Sequence, residues 1–290
     1  MLGSIVRSLR LRQWVKNGVV FAPLVFSGRL IDPASFAQAG ISALCFCLAS
    51  SGAYLLNDLL DRRLDRFHPL KKNRPIASGA LPVPWAVALL AGVDGASLAL
   101  SARVSSGLSV VILTYMLLNV AYSSWLKRIV LLDVVTLAAG FVLRVWGGAV
   151  ALGLFPSHWL QLSVFFLALF LGLEKRRQEL TILRHAKALQ HRRVLSEYPT
   201  VFIDQLTAIL TAVTIVCYAL YTVSPEVVAR AGKFGFVSTV PFVVYGTFRY
   251  LYLVHVRRQA LDPTEALFTD QPMQLSLGLW VVAVLCLLYR

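Results

Sequence analysis

Nine residues, Asn57 to Asp65, carry one amide and three carboxylates in the stretch NDLLDRRLD. On a helix Asp58, Asp61 and Asp65 fall at i, i+3 and i+7, and Asn57 meets Asp61 at i+4, so the four side chains share a face. Three carboxylates on one face repel one another unless a cation sits between them. Mg2+ is held by one or two carboxylates, with water and substrate phosphate oxygens filling its other positions, so the spacing suits a magnesium-bound diphosphate. Arg62, Arg63, Arg66, Lys71, Lys72 and Arg74 follow at once and supply anion-binding donors, and Pro75 and Gly79 mark a loop. Arg74, within RPIASG, is the preferred phosphate ligand among them; the flanking lysines equally suit headgroup anchoring. The competing reading is that a charge run is ordinarily a solvated helix face.

The elements that must position these residues are membrane helices. Of 290 residues, 58% are hydrophobic and 14% charged, with a mean hydropathy of +0.70, too apolar for a water-soluble domain. A spanning helix needs roughly 20 apolar residues, and its backbone must satisfy its own hydrogen bonds. Such runs lie at 36–56, 83–101, 106–122, 130–151, 158–172, 201–222, 236–254 and 275–289. The short stretch Gly18 to Gly28, with LRLRQW before it, is expected to enter the membrane as a ninth, Pro-containing helix; it lacks a small-residue cleavage site and does not read as a signal peptide. The expectation is an all-α integral membrane protein with nine transmembrane helices, residues 1–290 forming one domain.

Charge supports that topology, because Lys and Arg are retained in cytoplasmic loops. With a cytoplasmic amino terminus, 21 of the 28 basic residues fall inside and 5 outside, leaving Arg144 and Arg249 within spans. This accounts for a net charge of +14 without a nucleic-acid partner. The expected location is the cell's inner membrane, multi-pass, with the acidic stretch facing the cytoplasm. Association into a homo-oligomer is allowed by these features and not specified by them. Cys45, Cys47, Cys217 and Cys286 lie in apolar spans without metal-ligand spacing and read as small buried hydrophobes. No zinc-type histidine pair occurs; solvation or capping suits His158, His185, His191 and His255, and His68 has the least ordinary neighbours.

Other charged residues admit two readings each. Lys127, at the inner end of a span, suits either a phosphate contact or an interfacial anchor, and Lys16 in QWVKN is similar. Asp133 and Arg144 are 11 residues apart, sharing a helical face but standing about 16 Å apart along the axis, so they cannot pair directly. Charges at membrane depth are functional candidates; for Arg144 a structural partner within the bundle is the alternative. Asp262, Glu265 and Asp270 suit binding of ribose hydroxyls, orientation of the basic loop, or plain solvation.

The set Asn57, Asp58, Asp61 and Asp65 followed by Arg74, Pro75, Ser78 and Gly79 resembles the first Asp-rich motif of the UbiA superfamily of intramembrane prenyltransferases. QWVKN at 13–17, YSSWLKR at 122–128 and DVVTLAAGFVLRVWGG at 133–148 look like the same family. The resemblance implies nine helices around a central cavity open to lipid, with Mg2+ and a diphosphate at the cytoplasmic rim, and it adds Tyr122 to the substrate-binding candidates. Members that prenylate aromatic rings carry a second Asp-rich motif after the sixth span. Here that loop reads LEKRRQEL, with Lys175, Arg176 and Glu179 where aspartates are expected, and a cationic pair binds phosphate directly. This variant most resembles the branch that moves phosphoribose from phosphoribosyl pyrophosphate onto decaprenyl phosphate. Together these readings give Asp58, Asp61, Lys175 and Arg176 as the catalytic set, Asp58, Asp61 and Asp65 as magnesium ligands, and Lys16, Asn57, Asp65, Arg74, Tyr122, Lys127, Arg144 and Glu179 as substrate contacts. An aromatic prenyltransferase and a transporter of anionic lipid or metabolite are the alternatives.

Overall fold

The computed structural model describes residues 2–67, 71–185, 198–231, 235–257, 266, 267 and 269–289. Its regular elements are all helical, and seven helices among the described residues are long and apolar enough to cross a membrane. Contacts divide the chain into two compact units, Met1–Pro156 and Ser157–Arg290.

The first unit holds α1 (Leu2–Leu9), α2 (Ala22–Phe26), α3 (Pro33–Asp65), α4 (Val83–Val104), α5 (Ser106–Ser124) and α6 (Leu132–Ala151). α3 begins at Asp32, whose carboxylate accepts from the Ser35 N–H at 3.0 Å, with Pro33 at the first helical position. Its buried face is built largely of small residues, among them Ala39, Ala43, Cys47, Ala49, Ser50, Ser51 and Gly52. Small residues let helices approach closely, which is how bundles cohere where lipid removes the hydrophobic driving force. Phe46 fills the centre with Leu108, Ile112 and Tyr115, its ring edge-on to Tyr115 at 5.3 Å. On α6, Gly147 meets the Phe46 ring and Gly148 the Val20 carbonyl, at distances that admit no Cβ.

The second unit holds α7 (His158–His185), α8 (Thr200–Thr222), α9 (Pro225–Ala231), α10 (Val240–His255) and α11 (Gln271–Leu288). Phe170, Tyr250 and Leu253 form a core, and α11 is tied back by Ser276 Oγ donating to the Phe242 carbonyl at 3.1 Å and by Trp280 Nε1 donating to Tyr218 Oη at 2.7 Å.

Outward faces are apolar in both units, as at Leu117 and Leu275, which are 60% and 65% exposed. Seven spanning helices with such faces make this a multi-pass membrane protein. The expected ninth helix is not of spanning α-helical form: residues Leu11–Phe21 wind as a 3-10 helix, followed by the five residues of α2. The tighter coil, at about 2.0 Å per residue, gives the segment greater reach than an α-helix of equal length. The apolar run expected at 158–172 is the first part of the longer α7. Cys45, Cys47 and Cys217 are buried, but Cys286 is exposed, because α11 turns that face outward.

Candidate active site

α3 continues past its apolar run to Asp65, carrying all three carboxylates on one unbroken helix. Asp58 and Asp65 are 3% and 4% exposed, which removes the solvated-face reading for them. Burying carboxylates requires partners. Arg10 Nη2 donates to both Asp58 oxygens at 2.7 and 2.9 Å, and Arg74 Nη1 donates to Asp58 at 3.0 Å and to Asp65 at 2.7 Å. The loop that delivers Arg74 is fixed by Arg66, whose Nε donates to the Ala77 carbonyl at 3.1 Å, and it turns at Gly79, where φ is +82°.

A second pairing stands beside it. Lys127, carried by the short 3-10 turn Leu126–Arg128 after α5, donates from Nζ to Asp61 at 2.7 and 2.8 Å and to Asn57 Oδ1 at 3.1 Å. Its side chain is only 9% exposed, so the interfacial-anchor reading fails for Lys127. Three carboxylates thus face Arg10, Arg74 and Lys127, with Lys71 also acting on Asp65.

Arg144 lies deeper in the same unit, 7% exposed. Its Nε donates to Asn17 Oδ1 and its Nη2 to Tyr115 Oη, each at 2.7 Å. Asn17 is oriented by donating to Ser50 Oγ at 3.2 Å and Cys47 Sγ at 3.3 Å. Asp133 is buried at the start of α6, and Arg144 bonds to Asn17 and Tyr115 rather than to Asp133, as the helical spacing requires. Lys16 and Tyr122 are half-buried, the former adjacent to Asn17, and Tyr122 lies within electrostatic range of Tyr54, as do Arg10, Arg144 and Tyr115.

In the second unit Arg176 is buried and donates to Glu179 at 2.8 Å, one turn away, while Lys175 is half-buried. Arg177 donates to Asp204 at 2.6 Å. Arg249, the other arginine at membrane depth, donates twice to Asp270, at 3.1 and 2.8 Å. Asp270 also caps α11 by accepting from the Met273 N–H at 3.0 Å, so it is a structural residue rather than a solvated one. These bonds hold its carboxyl below the usual carboxylate range, the Arg249 hydrogen bonds contributing most. Asp262, Glu265 and His68 lie outside the described residues.

Sequence reasoning missed Arg10 as a site residue. It sits in a left-handed turn, φ 51° and ψ 50°, at a position where nothing in the local sequence announces one. Asn17 was visible only within QWVKN, and Tyr115 only as one aromatic in an apolar span.

Among the described residues no group of three His, Cys, Asp or Glu gathers in ligating position, and basic side chains bond to the carboxylate oxygens of α3. The donor set nevertheless fits a hard cation. Lys127 Nζ, a compact point charge, is surrounded by three oxygens from Asn57 and Asp61, the environment Mg2+ takes.

The chain matches the UbiA prenyltransferase family over residues 19–278. It is 30% identical over 302 aligned positions to decaprenyl-phosphate phosphoribosyltransferase of Mycolicibacterium smegmatis, covering 100% of this chain and 93% of that one. It is 29% identical to the enzyme of the same name from Corynebacterium glutamicum, covering 99% and 87%. Among solved structures it resembles a UbiA homolog from Archaeoglobus fulgidus bound to GPP and Mg2+, with a TM-score of 0.74 at 19% identity over 99% of this chain and 100% of that one.

Proposed function

The chain belongs to the UbiA prenyltransferase family, and from that premise we propose that it is a magnesium-dependent transferase moving 5-phosphoribose from phosphoribosyl pyrophosphate onto a polyprenyl phosphate, decaprenyl phosphate in the named relatives. The carrying observation is the rim of α3, where three carboxylates are matched by Arg10, Arg74 and Lys127. Such a rim accepts a divalent cation and a diphosphate together with little net change in charge. The family match runs through both compact units, which supports reading residues 1–290 as one domain. The excess of basic residues in the loops on its side supports a cytoplasmic face in the inner membrane.

In this reading the bond from the anomeric carbon to the pyrophosphate oxygen breaks, and an oxygen of the lipid phosphate bonds to that carbon. The lipid phosphate is already ionised at neutral pH, so no general base is required. Asp58 and Asp61 would hold Mg2+, with Asn57 and Asp65 beside them. The ion, when bound, neutralises charge that develops on the departing pyrophosphate. Arg10, Arg74 and Lys127, held beside the carboxylates, would donate to the same pyrophosphate oxygens, and their placement would provide positioning and charge stabilisation. Lys175 and Arg176 bind a second phosphate in this scheme, with Glu179 orienting Arg176. Tyr122 and Lys16 are assigned to substrate contact.

The test uses purified protein in detergent with Mg2+, radiolabelled phosphoribosyl pyrophosphate and a short-chain polyprenyl phosphate. Labelled lipid and pyrophosphate should appear in equal amounts, and Lys175→Ala/Arg176→Ala should slow transfer by about one to two decades at limiting substrate, the worth of a lost charge-assisted contact, while leaving the magnesium requirement in place. Transfer from a prenyl diphosphate to an aromatic acceptor instead, with no labelled lipid, would overturn the assignment.

A further inference from the structure

Arg144 is the one described arginine that is more than nine-tenths buried and makes no ion pair. Arg176, the other, has Glu179, and the partly buried Arg10, Arg74, Arg177 and Arg249 each have an aspartate. The guanidinium is charged at any relevant pH, so protonation offers no escape. A buried cation without a counter-charge is strongly penalised by its lost hydration.

What surrounds it softens that penalty without cancelling it. Tyr115 and Phe141 place their ring centroids 4.9 Å from Cζ, close enough for cation–π attraction at a desolvated ring. Its two side-chain hydrogen bonds go to Asn17 and Tyr115, both neutral, leaving donors of the five-donor fork for another acceptor. Asn17 is locked by Ser50 and Cys47, so its oxygen cannot leave Arg144 without breaking its own bonds. A fork held open by neutral residues at membrane depth is arranged for an anion that arrives from outside the chain.

Ser50, which holds Asn17, is eight residues from Asp58 on α3, about 12 Å along the helix. Tyr54 lies between them, with Arg10 stacked on its ring at 4.7 Å and Arg144 within electrostatic range. The unit therefore offers two cationic stations at different depths, one able to share a diphosphate with a metal and one, at Arg144, free of carboxylates.

We propose that Arg144, Asn17 and Tyr115 form a binding site for a phosphate monoester, which supplies the counter-charge the fold withholds. The proposal rests on the phosphoribosyl-transfer reading, in which both substrates carry such a group: the 5-phosphate of the donor and the headgroup of the lipid acceptor. Bidentate donation from Nη1 and Nη2 fits two phosphate oxygens, with Tyr115 Oη able to donate to a third.

The experiment measures binding by calorimetry in detergent with EDTA, so that no metal contributes at the rim. Ribose 5-phosphate is one probe and farnesyl phosphate the other, each titrated into the parent protein, Arg144→Gln, Arg144→Lys and Tyr115→Phe. One probe should bind the parent and lose at least tenfold in affinity with Arg144→Gln, and the probe that does so identifies the source of the phosphate. Arg144→Lys should recover part of the loss, because it restores charge without the fork, and Tyr115→Phe should weaken binding even if Arg144→Gln does not fold. A role confined to cementing helices would lower Tm in the variants and leave probe affinity unchanged, which overturns the proposal. Failure of both probes to bind the parent overturns it too. Phosphoribosyl transfer is assayed in the same preparations. Transfer by the parent with Arg144-independent binding removes this site alone, whereas Arg144-dependent binding without transfer removes the phosphoribosyl reading alone.

Discussion

In the proposed reading Lys127 and a divalent cation compete for the same oxygens, and that competition has a sign that can be measured. The ammonium contacts Asn57 and both oxygens of Asp61, and the Asp61 side chain is 24% exposed. A hydrogen bond to a charged group contributes about 1.5 to 3 kcal/mol, and the partial exposure of Asp61 argues for about 2 here, since water takes over some of the solvation. Lys127→Met keeps the apolar stem and removes the charge. Free of the ammonium, Asp61 and Asn57 should bind a metal without donor present about 30-fold more tightly, the equivalent of about 2 kcal/mol. Mn2+ titration followed by electron paramagnetic resonance in detergent reads this directly, with Lys127→Arg as the control that retains charge and parent-like affinity. The same Lys127→Met protein should bind phosphoribosyl pyrophosphate more weakly at saturating Mg2+, because a phosphate donor is gone. Metal affinity unchanged or reduced in Lys127→Met, in protein that retains its helicity, would refute both the competition and the placement of the cation at Asp61.

Three further outcomes are expected. Gly148→Ala should lower Tm in detergent and destabilise by about 1 to 3 kcal/mol, because its Cβ would run into the Val20 carbonyl, which as backbone cannot rotate away. Asp270→Ala should cost about 1 kcal/mol from the lost cap of α11 alone. Since the folded Asp270 carboxyl titrates below its unfolded value, that stability is present above about pH 4 and fades as pH falls through the folded pKa; a gap in Tm between parent and variant that widened on acidification would contradict it. Finally, a reporter fused after Arg193 should be cytoplasmic and one after Lys233 external; reversed labelling would overturn the charge-based topology.

The acidic motif was legible because its logic is local. Helical spacing alone placed Asn57 beside Asp61, and a single Lys127 ammonium bridges them in the folded chain. The spans were legible because bilayer thickness imposes a length on apolar runs, yet the first of them was not: residues 11–26 wind mostly as a 3-10 helix, whose end contacts at Val20 and Gly148 depend on another helix. Arg10 was hidden for the same reason. Its role depends on a left-handed backbone and on a carboxylate 48 residues away, and neither leaves a mark in neighbouring sequence. The exposed Cys286 shows the limit of hydropathy, which gives a helix but not the side it turns outward.

The 33 residues of α3 amount to about 50 Å of continuous helix, against a hydrocarbon layer of about 30 Å. The acids begin two residues beyond Leu56, where the apolar run ends, and reach about 14 Å past it at Asp65. One continuous helix therefore links the lipid boundary to the carboxylates of the proposed site. An acceptor anchored by its tail keeps its headgroup at a height set by the bilayer, whereas Asp58 keeps a height set by this helix. Membrane thickness thus becomes a variable of alignment: lipids a few ångströms longer raise one partner relative to the other, and the helix must tilt or the bilayer thin to bring them level.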